Sequence, residues 1–270
     1  MAPPVSESTR GIIDPVRART RFDHRRHDPS PRVARFVAWY AALSWDLGDD
    51  THDQEILSHP VVNLVFGPDV VNVTGPCHTK VTRRLEGRRW ALGVMFRPAG
   101  FRPLLDGPLT ALTDRTQPAG DVLGAPVDAV QRRVAATDDW DERLALVDAF
   151  LADRLPEEPQ PSEATTVIAE RIATDRSLLR VDKLAVECGT SMRQLQRRFA
   201  DQVGVSPKWV IQRYRLHEAA ETAAAGGDVD WARLAVDLGY SDQAHLVRSF
   251  TRAIGVPPDR YARENSAPKD

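Results

Sequence analysis

Hydrophobic positions fall into three regimes along the chain. From about residue 35 to 97 they come in short runs rich in β-branched and aromatic residues: "RFVAWYAALSWDL" (35–47), "VVNLVF" (61–66), "DVVNVTG" (69–75) and "RRWALGVMF" (88–96). Gly67-Pro68, Gly75-Pro76 and Glu86-Gly87 separate them. Such runs bounded by turn residues predict an antiparallel sheet or a small barrel. After "RPAGFRPLLDGPLTALTD" the period lengthens. "VDAVQRRVAA" (127–136) and "DDWDERLALVDAFLADRL" (138–155) are amphipathic, with Leu144, Val147, Phe150, Leu151 and Leu155 at helical spacing. "PEEPQPS" (156–162) holds three prolines in seven residues and predicts a linker. Everything from about residue 163 reads as helix. The first 30 residues, ending in "RFDHRRHDPSP", are polar and predict a flexible arm and lead-in. The fold class expected is α+β in two domains: a β-rich domain over 31–155 with trailing helices, and an all-α domain over 163–263, then a tail.

The helical part repeats itself. "LAVECG" (184–189) returns as "LAVDLG" (234–239), and "RFADQVGVSP" (198–207) as "SFTRAIGVPP" (249–258). The offset grows from 50 to 51, which places one extra residue between the glycine and the phenylalanine of the second copy. Two copies are too few for a solenoid; they make two similar small units. "VIQRYRLHEAAETAAA" (210–225) has helical composition and joins them, with Gly226-Gly227 able to end it.

In the first copy, "VDKLAVEC" predicts a short helix with Leu184 and Ala185 inward, ended by Gly189. Ser191 can cap the next helix, with Gln194 as its capping-box partner. Leu195, Phe199 and Val203 then form one apolar stripe. At ~100° per residue, Arg193 and Arg197 lie about 200° from Leu195, on the far face, flanked by Gln196. Helix, glycine turn, helix predicts a helix-turn-helix unit of about residues 181–203. Its outer face suits DNA, because arginine pairs bidentately with the guanine edge and glutamine with the adenine edge. The second unit, about 231–254, repeats the inner face with Leu234, Ala235, Leu246 and Phe250. Its outer face carries Ala244 and Arg248 and is less charged, so an asymmetric site is expected. Arg198, Lys208, Arg213 and Arg252 are candidate phosphate contacts. The joining helix, about 208–225, is expected to act as a rigid spacer.

Residues 163–263 resemble the C-terminal DNA-binding domain of the AraC/XylS family of bacterial transcription regulators, on "LAVECGTSMRQLQRRF", "GVSPKWVIQRYRL", "LAVDLGYSDQAHLVRSF" and "GVPPDRYAR". The resemblance implies seven helices with two helix-turn-helix units. It carries base contact onto Arg193, Gln196 and Arg197 in the first and onto Gln243, His245 and Arg248 in the second. Ala244 departs from the pattern, where a polar residue is common. The resemblance also implies an N-terminal effector-sensing or dimerising domain, often a cupin-like barrel; "HPVVNLVFGP" and "VMFRPAGFRPLL" look like an uncharacterised sensor-like domain. Partners expected are double-stranded DNA with an asymmetric operator, RNA polymerase, an unidentified small-molecule effector and a second copy of the chain. No cofactor is expected.

Composition changes this picture little. A net charge of −2 over 270 residues is neutral toward nucleic acid, since a local patch decides. No apolar run of 18 residues and no apolar leader is present, which predicts a cytoplasmic protein with no membrane span. Two cysteines, Cys77 and Cys188, are neither a disulfide framework nor a zinc set. His52, Glu55 and His59 lie close in sequence, but on an extended segment the two histidines face opposite ways. Arg97 and Arg102 could hold an anionic effector or form surface ion pairs. Trp39, Tyr40, Trp45, Trp90 and Phe96 could line a pocket or be plain core. "PCHTKV" (76–81) is similar to the Pro-Cys-His-Arg nucleophile motif of DNA alkyltransferases, with Cys77 as acceptor and His78 as base. Thr79 stands where that motif has arginine, and no partner motif follows. A non-enzymatic DNA-binding regulator is therefore the expectation. An alkyltransferase and an interaction protein with a non-specific DNA domain are the alternatives.

Overall fold

The computed structural model describes residues 11–225 and 229–265. Gly226 and Gly227, expected to end the joining helix, lie outside the described residues.

The N-terminal part is one antiparallel sheet. Its strands are β1 (Asp23–His27), β2 (Val37–Ile56), β3 (Asn63–Phe66), β4 (Val71–Thr74), β5 (Val81–Phe96) and β6 (Thr116–Pro118), in the spatial order β1-β2-β5-β3-β4-β6. The short helix α1 (Pro15–Ala18) precedes it, capped by the Asp14 carboxylate. Helices α2 (Ala119–Leu123), α3 (Pro126–Ala136) and α4 (Trp140–Arg154) follow. The long β2–β5 ribbon cannot be straight. It pairs Val37 with Phe96 at one end and Ile56 with Val81 at the other, while Asn63 already pairs with Met95. A straight β5 from Val81 to Met95 would cover about 46 Å. The chain from Ile56 to Asn63 can span at most about 25 Å. The ribbon therefore folds over. Its pairing jumps between Asp46↔Arg88 and Thr51↔Glu86, where Gly48 and Gly87 take left-handed backbone (φ 55 and 60). Extra residues on one strand bend and twist a sheet, and glycine carries positive φ without strain.

One expectation needs correcting. The stretch expected as a loose lead-in contains β1, paired from Asp23↔Ser44 to His27↔Tyr40. "DHRRH" has no apolar residue to announce a strand. It is held at the sheet edge by the ladder of β2, a long-range contact that local composition does not reveal. Ile13 and Phe22 beside it are buried.

The main core lies between the sheet and α4. Phe36, Leu64, Phe66, Leu92, Phe96 and Phe101 meet Val147, Leu151 and Leu155 there, and the Tyr40 hydroxyl donates to Asp148 (2.8 Å). The aromatics do not share a pocket. Tyr40 and Phe96 are core, Arg26 lies over Trp39, and the Trp45 indole donates to the Glu86 carbonyl. Arg143 lies between Trp90 and Trp140 (4.0 and 4.9 Å to the ring centroids).

Among the described residues the C-terminal part has seven helices: α5 (Pro161–Thr174), α6 (Val181–Glu187), α7 (Met192–Gln202), α8 (Pro207–Ala224), α9 (Trp231–Asp237), α10 (Gln243–Ile254) and α11 (Pro258–Asn265). Its ends differ slightly from the sequence reading: α5 begins inside the proline-rich stretch, and α11 runs through Asn265. The joining helix α8, expected as a rigid spacer, is about 27 Å long and is a buried central element that packs into both units. Val210, Ile211 and Tyr214 enter the core of the first unit, and Leu216, Ala219 and Ala223 that of the second. Arg215, 1% exposed, donates to the carbonyls of Ile172 and Asp175 at the end of α5 and pairs with Glu218.

Candidate nucleic-acid interface

The two helix-turn-helix units are built by the same local bonds. In the first, the N–H groups of Cys188, Gly189 and Thr190 donate to the carbonyls of Leu184, Val186 and Ala185; in the second, those of Leu238, Gly239 and Tyr240 donate to Leu234, Val236 and Ala235. Gly189 and Gly239 are left-handed (φ 61 and 78). That is why glycine stands at both turns: an L side chain there is strained, and the six-residue bond closes the helix end.

The second helices also match. α7 is capped by Ser191, whose hydroxyl accepts from the Gln194 N–H (3.2 Å) while the Gln194 side chain accepts from the Ser191 N–H (3.0 Å). α10 is capped by Asp242, which accepts from the His245 N–H (2.7 Å). The extra residue of the second copy therefore sits in the turn, ahead of the cap. From cap onward the helices align at an offset of 51, so Leu195 and Phe199 correspond to Leu246 and Phe250. All four are buried, as are Leu184, Ala185 and Ala235; Leu234 is half-buried against the same core.

On the outer face Arg193, Gln196 and Arg197 are exposed together on α7. The corresponding positions of α10 are Ala244, Val247 and Arg248. Gln243 and Arg248 are exposed. His245 is not presented in the same way. It holds the place of Gln194, is half-buried, lies edge-on to Tyr240, and its Nδ1 is 3.1 Å from the Ser241 hydroxyl. Lys208 and Arg252 are exposed, and Arg198 is half-buried. Arg197 and Arg198 line a groove of about 600 Å³ with Pro108, Thr110 and Asp201, where the N-terminal domain approaches α7.

Arg213 contradicts its expected role as a phosphate contact. It is 3% exposed, and its guanidinium donates to the carbonyls of Cys77 (3.2 Å) and His78 (2.8 Å) while stacking on Trp209. Burial pushes it down to about 10, still charged at neutral pH. The sequence reading assigned it to solvent because its partners lie in the other domain, more than 130 residues away.

The remaining candidates resolve individually. Arg97 pairs with Glu170 (2.7 Å) and Arg102 with Asp201 (3.3 Å), each across the domain boundary. His52 bonds to Gln54, Glu55 pairs with Lys80, and His59 stacks on His217. Among the described residues no group of three or more His, Cys, Asp or Glu could hold a metal ion. Cys77 is buried, and its thiol donates to the Gly75 carbonyl (3.3 Å). Burial, and then the negative charge of Asp114, push the thiol up, which suppresses the thiolate a nucleophile needs. His78 is engaged by Asp114 (2.7 Å). Cys188 is half-buried against the first unit's core. Among the described residues no helix is long and apolar enough to cross a membrane.

Fold and surface together define a protein with a double helix-turn-helix domain behind a β-sheet domain. Residues 184–264 match the family described as a helix-turn-helix domain. Residues 25–118 match a domain of unknown function (DUF6597). Two curated relatives are transcriptional regulators. The HTH-type transcriptional regulator MtrA of Neisseria gonorrhoeae is 31% identical over 84 residues, covering 31% of this chain and 28% of that protein. The HTH-type transcriptional regulator Rv1931c of Mycobacterium tuberculosis is 31% identical over 84 residues, covering 31% and 32%. The chain thus spans about a third of the length of the curated relatives it matches. Among solved structures, the C-terminal domain of the response regulator AraT from Geobacillus stearothermophilus is similar at a TM-score of 0.35 and 23% identity, over 38% of this chain and 88% of that one. ToxT from Vibrio cholerae is similar at a TM-score of 0.42 and 12% identity, over 84% and 99%.

Proposed function

We propose that the protein is a sequence-specific DNA-binding transcription regulator of the bacterial cytoplasm, and that it works by binding, with no catalytic step. The observation that carries this reading is the repeated unit. Two helices closed by identical turn bonds each bury one stripe and leave the other in solvent, and on α7 that free stripe is Arg193, Gln196 and Arg197. Arginine and glutamine are the side chains suited to bidentate base readout. Gln243 and Arg248 form the weaker second reading face. Arg198, Lys208 and Arg252 contact phosphates and set register. The N-terminal domain modulates binding, in response to a small molecule or by pairing two chains, and the DNA-bound protein acts on RNA polymerase.

The test is selection of genomic fragments by the full chain at near-physiological salt. A short asymmetric motif is expected. Arg197→Ala is expected to lose about 1–3 kcal/mol on that motif and to relax preference at one base pair. Salt-sensitive binding with no motif, by the free protein and in cell extract alike, would instead mark an interaction protein with a non-specific DNA domain.

A further inference from the structure

The glycines that follow the two recognition helices, Gly204 and Gly255, hold the same place in the repeat and are both left-handed (φ 87 and 102). Each lies against a residue of the N-terminal domain. A Cβ on Gly204 would stand 3.0 Å from the Thr113 hydroxyl and from Leu109; one on Gly255 would stand 2.8 Å from Lys80 Nζ. The Thr113 hydroxyl donates to the Gly204 carbonyl (2.7 Å), and the Lys80 ammonium donates to the carbonyl of Ile254, the last residue of α10 (3.3 Å). Arg102 adds its ion pair to Asp201 in the last turn of α7 (3.3 Å). Helix C-termini carry unpaired carbonyls and the negative end of the dipole, so donors and cations are the groups that fit there. Apolar contacts follow the same division. Ala99 joins the core of the first unit, while Ile13 and Leu57 join that of the second.

The two contact points belong to one bridge. Lys80 follows β4 and Thr113 precedes β6, and these strands pair at Thr74↔Thr116. The Gly75 N–H donates to the Arg115 carbonyl and the Asp114 N–H to the Pro76 carbonyl (both 3.0 Å). The Asp114 carboxylate accepts from the His78 N–H (2.6 Å). Arg213, from the helix that joins the units, donates into the same bridge at Cys77 and His78.

We propose that this bridge is a clamp that sets the separation and orientation of the two recognition helices. Thr113 and Arg102 act on α7 and Lys80 acts on α10. Resting on the DNA-reading assignment above, the three are positioning residues for operator spacing. An effector that shifts the bridge would move both reading heads at once.

The test measures the helices without DNA. In the full chain, with Cys188→Ser and buried Cys77 left in place, spin labels go on Val186→Cys and Val236→Cys. These valines are 79% and 67% exposed at matching positions of α6 and α9, away from the reading faces. A narrow dipolar distance distribution is expected. Lys80→Gln and Thr113→Val should each broaden it about twofold as a second arrangement becomes populated. Lys80→Arg, which keeps a cation and donor, should restore it. Circular dichroism at the assay temperature establishes that each variant is folded. Folded Lys80→Gln and Thr113→Val chains with the unaltered distribution would overturn the clamp. Absence of any selected DNA motif would overturn the proposed function and leave this distance result standing. Where a motif is selected, the same variants should also tolerate altered spacing between its two halves.

Discussion

Arg213 offers the sharpest discrimination between surface chemistry and internal structure. As a phosphate contact, Arg213→Ala would leave the fold alone and reduce the slope of log affinity against log salt by about one. The structure gives a different result. The guanidinium donates to the carbonyls of Cys77 and His78 and stacks 4.6 Å from the centroid of Trp209. A hydrogen bond from a charged donor is worth about 1.5–3 kcal/mol, and a desolvated cation–π contact about 2. Against this stands burial, which outweighs the opposing charges of Cys77, Asp114 and Tyr240 and pushes the guanidinium down to about 10. The contacts of the charge and its desolvation therefore oppose each other, as for other buried charges. What truncation adds is a cavity in a packed helix face and a His78 carbonyl left without its donor, together about 3 kcal/mol. For a chain of this size that lowers the melting temperature by about 6–12 °C. Arg213→Met fills the volume without the desolvation cost and should lose only about 1 kcal/mol. Thermal melting and salt-dependent binding to a selected motif decide the matter together. An unchanged melting temperature with a slope reduced by about one would refute the buried tie and return Arg213 to the DNA surface.

Other predictions follow from the same geometry. Cys77 should resist alkylation at neutral pH while Cys188 reacts first, and both should titrate on denaturation; prompt labelling of Cys77, or methyl uptake from alkylated DNA, would revive the alkyltransferase reading. Partial burial alone would raise the Asp114 carboxyl, but hydrogen bonds from the backbone and ring of His78, with the charges of His78 and Arg213, hold it below its ordinary value. Its stabilising effect is then fully present above the unfolded carboxylate value near 3.9 and lost as pH falls through the lower folded value, so Asp114→Asn and wild type should converge in acid unfolding below about pH 4; a gap that widens there contradicts the sign. Gly100→Ala brings a Cβ to 2.1 Å from the Phe36 carbonyl oxygen, whereas Gly107→Ala meets open space. The first should cost more than about 4 kcal/mol and the second less than about 0.5, read by denaturant unfolding, and similar costs would show that the Phe36 contact yields.

How much of this was legible beforehand depended on range. The helix-turn-helix units were readable because their signals are local: a glycine turn, a capping residue, and an apolar stripe at Leu195 and Phe199 recurring at Leu246 and Phe250. The sheet was readable from its short β-branched runs, and not its curl, because the bend is set by which strands pair. β1 went unread because its side chains are polar and only its backbone holds it. Arg213 was legible only as a basic residue and Arg102 only as an anion holder or ion-pair former, with no hint of the partner of either, and Thr113 and Lys80 carried no signal at all. Each is an ordinary polar residue whose role exists only once two segments far apart in sequence are brought together, and nothing near Lys80 or Thr113 marks it as the partner of a helix end.

The comparison of the two units then separates packing from reading. The inward Leu-Ala and Leu-Phe pairs, turn glycines and turn bonds are the same in both, with Ile254 standing for the like apolar Val203, since a polar or much smaller side chain there would open the core. Outward positions diverge, from Arg193 and Gln196 to Ala244 and Val247, because solvent sets no such demand. The grip of the N-terminal domain follows the inward pattern: both recognition helices are held at their C-terminal ends, each beside its left-handed glycine. Both helices are held at their ends while their faces differ, so on the proposed reading base preference resides mainly in α7 and α10 contributes through where it is placed. On the proposed clamp, a signal received by the β-sheet domain changes which sites are bound without altering a single base contact, by changing the distance over which one strong reader and one weak reader must both fit the groove.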